Sequence, residues 1–126
     1  PASPDRLFVY GTLRSGSTVP AARELHARAR SLGPAAIRGR VLPLVAYPGL
    51  VEQGESEVSG ECFLLPEDPS DRESLLQFLD VYEGLGPNGE PGLPFHREAR
   101  VIRDAAGASA PSWVYLWRGR LESTPL

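Results

Sequence analysis

The sequence contains a single cysteine, Cys62, and no methionine. One cysteine excludes a disulfide bond within this sequence, which favours a reducing compartment. A catalytic thiol is the competing hypothesis, because a cysteine becomes a nucleophile when a neighbouring base lowers its pKa. However, Cys62 lies among apolar residues in a strand-like segment, and neither His26 nor His96 is close to it in sequence. We therefore expect a buried, unreactive thiol.

Long apolar runs, basic stripes and metal-ligand spacings are also missing. No apolar run approaches the roughly 20 residues of a membrane span, and no secretory segment opens the sequence. The formal net charge is -3, without the basic stripe typical of nucleic-acid-binding proteins. The two histidines lack metal-ligand spacing. These absences predict a cytoplasmic protein with no membrane or nucleic-acid partner, no metal and no cofactor, and they leave the oligomeric state open.

Length and composition indicate one small domain rich in turns. The sequence has 126 residues, of which 41% are hydrophobic and 23% charged, so we predict a single domain over residues 1–126. Thirteen glycines and thirteen prolines are spread between the periodic segments. That distribution favours many turns between short strands over a helical bundle.

Hydrophobic periodicity predicts short strands around two helices. The first helix spans Val19 to Ser31, with Ala22, Leu25 and Ala29 facing inward. The predicted strands are Leu7–Tyr10, Ile37–Val45, Glu57–Leu65, Glu98–Arg103 and Ser112–Arg118. In the last strand, Trp113, Tyr115 and Trp117 share one face.

The segment from Ser70 to Glu83 has the pattern of an amphipathic helix. Ser70 and Glu73 have the S-x-x-E spacing of a capping box, and Gly84 stands where a left-handed C-terminal residue is expected. Asp80 falls on the polar side and is expected to be solvated. The apolar stripe comprises Leu75, Phe78, Leu79 and Tyr82, with Leu76 at its edge.

Glu83 falls inside this apolar arc and in the last turn of the predicted helix. Desolvation and the helix dipole would both raise the pKa of a carboxyl there, towards the range of a general base near neutral pH. The alternative is a frayed helix end whose side chain reaches water. The helix alone leaves both interpretations open.

A second informative segment follows the first strand. Tyr10 is followed by Gly11-Thr12-Leu13-Arg14, then by cap-forming residues ahead of Pro20. A strand, a glycine-containing loop and a helix in this order can direct several backbone N–H groups at one anion. An ordinary tight turn is the alternative, and the P-loop pattern G-x-x-x-x-G-K-[ST] is absent.

Five short motifs follow one another along the sequence: Tyr10-Gly11-Thr12-Leu13, Ala46-Tyr47-Pro48-Gly49-Leu50, Leu79-Asp80-x-Tyr82-Glu83-Gly84, Phe95-His96-Arg97 and Val114-Tyr115. Together they resemble the gamma-glutamyl cyclotransferase-like superfamily over most of the sequence, from about Leu7 to Trp117. The resemblance implies an α+β fold, a small mixed β-barrel of short strands flanked by two main helices, with a cavity for a gamma-glutamyl group. It implies that Glu83 is the catalytic acid/base and that Tyr10, Gly11, Thr12 and Leu13 form a substrate-binding turn.

The reaction that the resemblance implies is intramolecular. The alpha-amine of a gamma-glutamyl amide attacks its own gamma-carbonyl and releases 5-oxoproline and a free amine. Glu83 would take a proton from the ammonium and give one to the leaving nitrogen. The Tyr10–Leu13 loop would bind either the alpha-carboxylate or the oxyanion. The expected partner is a small gamma-glutamyl substrate, and the enzyme would be a cyclotransferase of the acyltransferase or lyase type.

Three further positions bear on the substrate. The resemblance places Tyr115 in the substrate pocket, with its phenol hydrogen-bonded to Glu83 or to the substrate; an aromatic stave of the barrel is the alternative. Phe95 stands where the family often has tyrosine, which removes one hydroxyl. Arg97 either pairs with a carboxylate or lies on the surface. The segment Leu85–Pro94 is a candidate lid, with a plain connection as the alternative.

Two other functions remain open from the sequence. One is a non-catalytic module that binds a small carboxylate on the same barrel. The other is a gamma-glutamyl amide hydrolase in which Glu83 activates water, and free glutamate instead of 5-oxoproline would identify it.

Overall fold

Two helices and seven strands form within the residues that the computed structural model describes, namely 4–10, 15–43, 48–51, 56–82 and 95–117. In chain order the elements are β1 (Arg6–Val9), α1 (Pro20–Arg28), β2 (Arg30–Arg38), β3 (Arg40–Pro43), β4 (Pro48–Val51), β5 (Glu57–Leu64), α2 (Pro69–Tyr82), β6 (Phe95–Arg103) and β7 (Ser109–Trp117). Neither of these helices is long and apolar enough to cross a membrane.

The strands β1, β5, β2, β6 and β7 close into a barrel in that order. β1 runs parallel to β7, with Leu7 opposite Trp113. The other neighbouring strands of the barrel are antiparallel. β3 and β4 form a separate two-stranded sheet. The predicted small mixed barrel flanked by two helices is confirmed.

The barrel strands have an apolar core on each face, because successive strand residues point to opposite sides. One core lies between the sheet and the two helices and includes Leu7, Phe63 and Tyr115. The other lies on the opposite face and includes Phe8, Cys62 and Val114. β1, β5 and β7 therefore contribute buried residues at consecutive positions, a pattern that sequence periodicity alone does not distinguish from a short helix.

Helix α1 is shorter than predicted. Pro20 occupies its first turn, where the missing N–H is no loss, and Ala22 and Leu25 are buried as expected. The helix ends at Arg28 because Ala29 is extended, with φ -127° and ψ 163°, and Arg30 already pairs with Leu64 in the sheet. The prediction of a helix up to Ser31 is wrong by three residues: Ala29 connects the two elements, and Arg30 and Ser31 already belong to β2.

The predicted strand Ile37–Val45 is divided at Gly39. This residue has φ +150°, and a Cβ there would lie 2.3 Å from the backbone oxygen of Val51. Only glycine combines that conformation with such a close approach. The chain therefore leaves β2 at Arg38 and enters the separate β3–β4 sheet at Arg40.

Asp68 caps the N-terminus of α2. Its Oδ2 accepts a hydrogen bond from the backbone N–H of Asp71 at 3.0 Å, and its carbonyl accepts from the N–H of Arg72. Helix α2 begins at Pro69, a residue favoured in the first turn. The predicted cap at Ser70 is wrong, because Ser70 already lies within the helix.

The buried face of α2 is rotated about the helix axis by about one residue relative to the predicted apolar stripe. Leu75, Leu76, Leu79 and Asp80 are buried, whereas Phe78 and Tyr82 are 43% and 44% exposed. The face that meets the barrel therefore passes through Asp80, and the two aromatic residues lie towards the solvent. The expectation that Asp80 is solvated is wrong, since only 1% of its surface is exposed.

Replacing Asp68 with alanine should lower the free energy of unfolding by about 1 kcal/mol, because the N–H of Asp71 loses its side-chain acceptor. Ser70→Ala is the matched control and should change it by less than about 0.5 kcal/mol. Urea denaturation of both variants measures the difference. A larger loss of unfolding free energy in Ser70→Ala than in Asp68→Ala would contradict the cap at Asp68 and support the capping box that the sequence predicts.

Candidate functional site

A buried carboxylate in the last turn of α2 is the centre of the site. Asp80 accepts hydrogen bonds from Nε of Arg97 at 2.7 Å, from Nη2 of Arg97 at 3.0 Å and from the hydroxyl of Tyr115 at 2.6 Å. The guanidinium thus presents two donors to the two carboxylate oxygens, the strongest geometry for such a pair. Three donors compensate the desolvation of Asp80, which explains how a charge is retained at a buried helix position.

Strand pairing brings Arg97 and Tyr115 together. The two residues are direct partners in the β6–β7 ladder, so their side chains emerge next to each other on one face of the sheet. That face meets α2, because both side chains reach the carboxylate of Asp80. Of the two alternatives from the sequence, Arg97 pairs with a carboxylate.

The guanidinium of Arg97 is enclosed on two sides. Its Cζ lies 4.4 Å from the ring centroid of Trp113, and only 16% of its side chain is exposed. Burial by itself lowers the pKa of Arg97, but the hydrogen bonds and the charge of Asp80 outweigh burial and raise the pKa overall. Arg97 is therefore a permanent cation, and the pair with Asp80 carries no net charge.

Tyr10 connects β7 to the small sheet. Its hydroxyl donates to the backbone oxygen of Tyr115 at 3.1 Å and accepts from the backbone N–H of Leu50 at 3.1 Å. Tyr10 and Tyr115, both predicted to bind substrate, are thus brought together and linked by a hydrogen bond. The predicted substrate contacts themselves stay predictions.

Glu61 anchors the chain just beyond the predicted substrate-binding turn. Its carboxylate accepts from the backbone N–H of Ser15 at 2.7 Å, and from the hydroxyls of Ser15 and Ser31 at 2.5 Å each. Burial raises the pKa of Glu61, and these hydrogen bonds outweigh it and lower the pKa overall. In the sequence, Ser15 is two positions after Leu13, the last residue of the predicted turn.

Several predicted positions lie outside the described residues. These are the proposed acid/base Glu83, the turn residues Gly11, Thr12 and Leu13, and the candidate lid Leu85–Pro94. The roles assigned to them stay predictions. Two residues of the site, Asp80 and Glu61, were not found as site residues from the sequence. The available signal for Glu61 was an acidic residue within a largely apolar strand.

The thiol of Cys62 is buried on the face of the sheet that looks away from the helices. Burial raises the pKa of Cys62 to about 11. The expected buried thiol is present. His26 lies on the helix side, stacked on Phe63 with the ring centroids 5.3 Å apart.

Comparison with protein families gives one match over nearly the whole chain. A family model described as gamma-glutamyl cyclotransferase, AIG2-like matches residues 7–125. Comparison with curated protein sequences gives no match.

Solved structures share the fold. An AIG2-like protein from Mus musculus has a TM-score of 0.71 at 21% identity, over 98% of this chain and 83% of its own. Protein YtfP from Escherichia coli has a TM-score of 0.57 at 23% identity, over 93% and 86%. A structure named gamma-glutamyl cyclotransferase has a TM-score of 0.56 at 16% identity, over 89% and 65%. At these identities the likeness establishes the fold alone.

Replacing Arg97 with methionine should lower the free energy of unfolding by about 3–5 kcal/mol, because the buried carboxylate of Asp80 loses its counter-charge. Arg103→Met on the same strand is the matched control. Arg103 pairs with Glu57 at an exposed position, so its loss should cost less than about 1 kcal/mol. Chemical denaturation measures both values. Equal losses of unfolding free energy in the two variants would contradict the expected difference between a buried and an exposed ion pair.

Iodoacetamide should label Cys62 very slowly in the folded protein at about pH 8, because the thiolate is the reactive form and burial raises the pKa of this thiol to about 11. Labelling should become faster only as the pH approaches that value. Unfolding in guanidinium should give complete labelling, which serves as the control. Mass spectrometry follows the modification, and rapid labelling of the folded protein at the lower pH would contradict the burial.

Proposed function

Because the chain belongs to the gamma-glutamyl cyclotransferase, AIG2-like family, we propose that it releases 5-oxoproline and a free amine from a gamma-glutamyl amide. Family and fold support a cyclotransferase-like activity. The identity of the amine is unassigned. The cytoplasmic location expected from the sequence stays a prediction.

The observation that carries this proposal is the buried Asp80–Arg97–Tyr115 cluster at the end of α2. The last described residue of α2 is Tyr82, and Glu83 follows it directly in the sequence. A buried ion pair costs desolvation, and apolar residues of similar volume often stabilise a fold equally well. A polar cluster in the helical turn that precedes the proposed acid/base in the sequence is therefore better explained by a functional requirement than by stability.

Glu83 serves two proton transfers in the proposed reaction. It removes a proton from the substrate's alpha-ammonium, and the resulting amine attacks the gamma-carbonyl to form the five-membered ring. The C–N bond of the amide then breaks as Glu83 returns the proton to the leaving nitrogen. The ring nitrogen loses one further proton, which ends on the released amine as its ammonium. The reaction consumes no water and needs no protein nucleophile, since the attacking group belongs to the substrate. It is an acyl transfer to the substrate's own amine.

Backbone N–H groups of Gly11, Thr12 and Leu13 are the proposed donors for the anionic parts of the substrate. The two tyrosine hydroxyls near this turn each donate their one hydrogen to a protein oxygen, Tyr10 to the carbonyl of Tyr115 and Tyr115 to Asp80. An alpha-carboxylate or an oxyanion needs donors. In the proposal the backbone of the turn supplies them, and Glu61 holds Ser15, two positions after Leu13.

Glu83→Gln should reduce 5-oxoproline formation by about 100- to 10,000-fold, because glutamine can neither accept nor return the proton. Mass spectrometry of reactions with a panel of gamma-glutamyl amines, amino acids and peptides measures the product. Glu67→Gln, an exposed position just before α2, is the matched control and should retain full activity. Thermal denaturation confirms that both variants are folded.

The other outcomes of this experiment separate the alternative functions. Equal turnover by Glu83→Gln and the parent would refute the acid/base role. Free glutamate in place of 5-oxoproline would establish a hydrolase. Saturable binding of the amides without turnover would establish a binding module.

A further inference from the structure

The chain connects the small β3–β4 sheet to the barrel at one place. β2 and β5 stay paired as far as Arg38 and Glu57, and just beyond this pair the N–H of Gly39 donates to the carbonyl of Ser56 at 2.9 Å. The chain therefore leaves the barrel and returns to it side by side, with β3 and β4 in between. A unit connected in this way can turn about its two adjoining connections while the barrel strands stay paired.

The small sheet depends on the barrel for its stability. Each of its two strands has four residues, and a two-stranded sheet by itself is at best marginally stable in water. Val41 on β3 is 38% exposed, whereas Leu50 on β4 is fully buried. Leu50 belongs to the apolar cluster that includes Val114 and Leu116 of β7. Because both helices pack on the other face of the barrel, this cluster is its interior, and Leu50 anchors the small sheet there.

A tyrosine hydroxyl holds β4 at the same point. The backbone N–H of Leu50 donates to the hydroxyl oxygen of Tyr10 at 3.1 Å, and this hydroxyl donates to the backbone oxygen of Tyr115 at 3.1 Å. Tyr10 directly follows β1, and Tyr115 belongs to β7, so both partners are part of the barrel. Such a hydrogen bond is reversible at small net cost, because water takes the place of the phenol when the N–H moves away.

We propose that β3 and β4 form a hinged flap, which closes this end of the barrel and opens while the barrel stays folded. Gly39 and Ser56 form the hinge, Leu50 is the anchor and Tyr10 is the latch. In the closed flap, a Cβ on Gly39 would lie 2.3 Å from the backbone oxygen of Val51, so the closed position requires glycine at the hinge. The flap is a property of the fold and does not depend on the proposed reaction.

Opening of the flap uncovers a surface that is apolar on one strand and charged on the next. β4 lies against β7, and β6 pairs with β7 so that His96 is opposite Leu116 and Glu98 is opposite Val114. Directly opposed residues of antiparallel strands share a face, so these polar side chains lie on the face that Leu50 covers. Glu98 also pairs with Arg100 at 2.7 Å. The flap therefore controls how water and small molecules reach this mixed surface.

Native-state hydrogen exchange of the full chain tests the flap. Mass spectrometry of proteolytic fragments measures the exchange of each strand at increasing, non-denaturing urea concentrations. In the parent, the amides of β3 and β4 should exchange through an opening that depends weakly on urea, because it exposes little surface. The amides of β5 and β7 should exchange more slowly and with a steep dependence on urea, because they require global unfolding.

Two variants weaken the closed flap. Tyr10→Phe removes the acceptor of the Leu50 N–H and should speed the exchange of the β3 and β4 amides by about 5- to 100-fold. Leu50→Ala removes the anchor and should speed it by about 30-fold or more. The barrel amides should accelerate by the same factor in each variant, because global unfolding also breaks these contacts.

Tyr115→Phe is the matched control. It removes the hydroxyl that donates to Asp80 and keeps the backbone oxygen that accepts from Tyr10. This variant lowers the stability of the barrel without touching the latch. It should therefore speed the exchange of the barrel amides and leave that of the β3 and β4 amides unchanged.

Three results would overturn the proposal. Equal urea dependence of the small sheet and the barrel in the parent would mean that β3 and β4 open only when the whole fold unfolds. Equal acceleration of both sets of amides in Tyr115→Phe would mean the same. Unchanged exchange of β3 and β4 in both Tyr10→Phe and Leu50→Ala would show that neither residue closes the flap. The parent measurement needs no substitution, so it decides the matter even where a variant does not fold.

Discussion

The structure depends on the way one carboxylate joins a helix to a sheet. Asp80 is held by donors from two neighbouring strands, and it lies in a helical turn whose Phe78, Val81 and Tyr82 are exposed. Apolar contact at that turn is therefore limited to a narrow face around Leu79. Apolar packing is non-directional, and it would allow the end of α2 to rotate or slide on the barrel. A bidentate pair with Arg97 admits one orientation, so it fixes the last described turn of α2 on the barrel.

The same hydrogen bonds continue across the molecule. The N–H of Leu50 donates to Tyr10, whose hydroxyl donates to the carbonyl of Tyr115, and the side chain of Tyr115 donates to Asp80. This series links the small β3–β4 sheet, the barrel and α2 through two tyrosine hydroxyls. The partner determines the direction of each hydrogen bond, because the partners are a backbone N–H group, a backbone carbonyl and the carboxylate of Asp80.

The sequence predicted the barrel and both helices, but it did not predict that the hydroxyl of Tyr115 donates to Asp80. The fold was accessible because the short motifs occur in a specific order. The role of Asp80 was missed because a helical wheel treats an aspartate as a solvated residue and carries no information on Arg97, seventeen positions away. Which strand residue faces a helix depends on register, and the β6–β7 register is set by the whole ladder. Asp68 was overlooked as the cap because the S-x-x-E spacing at Ser70 was equally well formed, and Pro69 decided between them.

The parallel contact between β1 and β7 has a consequence for how this protein is made. Tyr10 and Tyr115 are 105 positions apart, yet they are bonded where the first and last strands of the barrel adjoin. Such distant pairing raises the contact order, which slows folding because a long loop has to close before the contact forms. During synthesis, β1 and β5 can pair, and α1 can pack on them, while the barrel is still open at one edge. That edge is completed only when β7 has left the ribosome, so the site and the closed barrel become available together, at the last step.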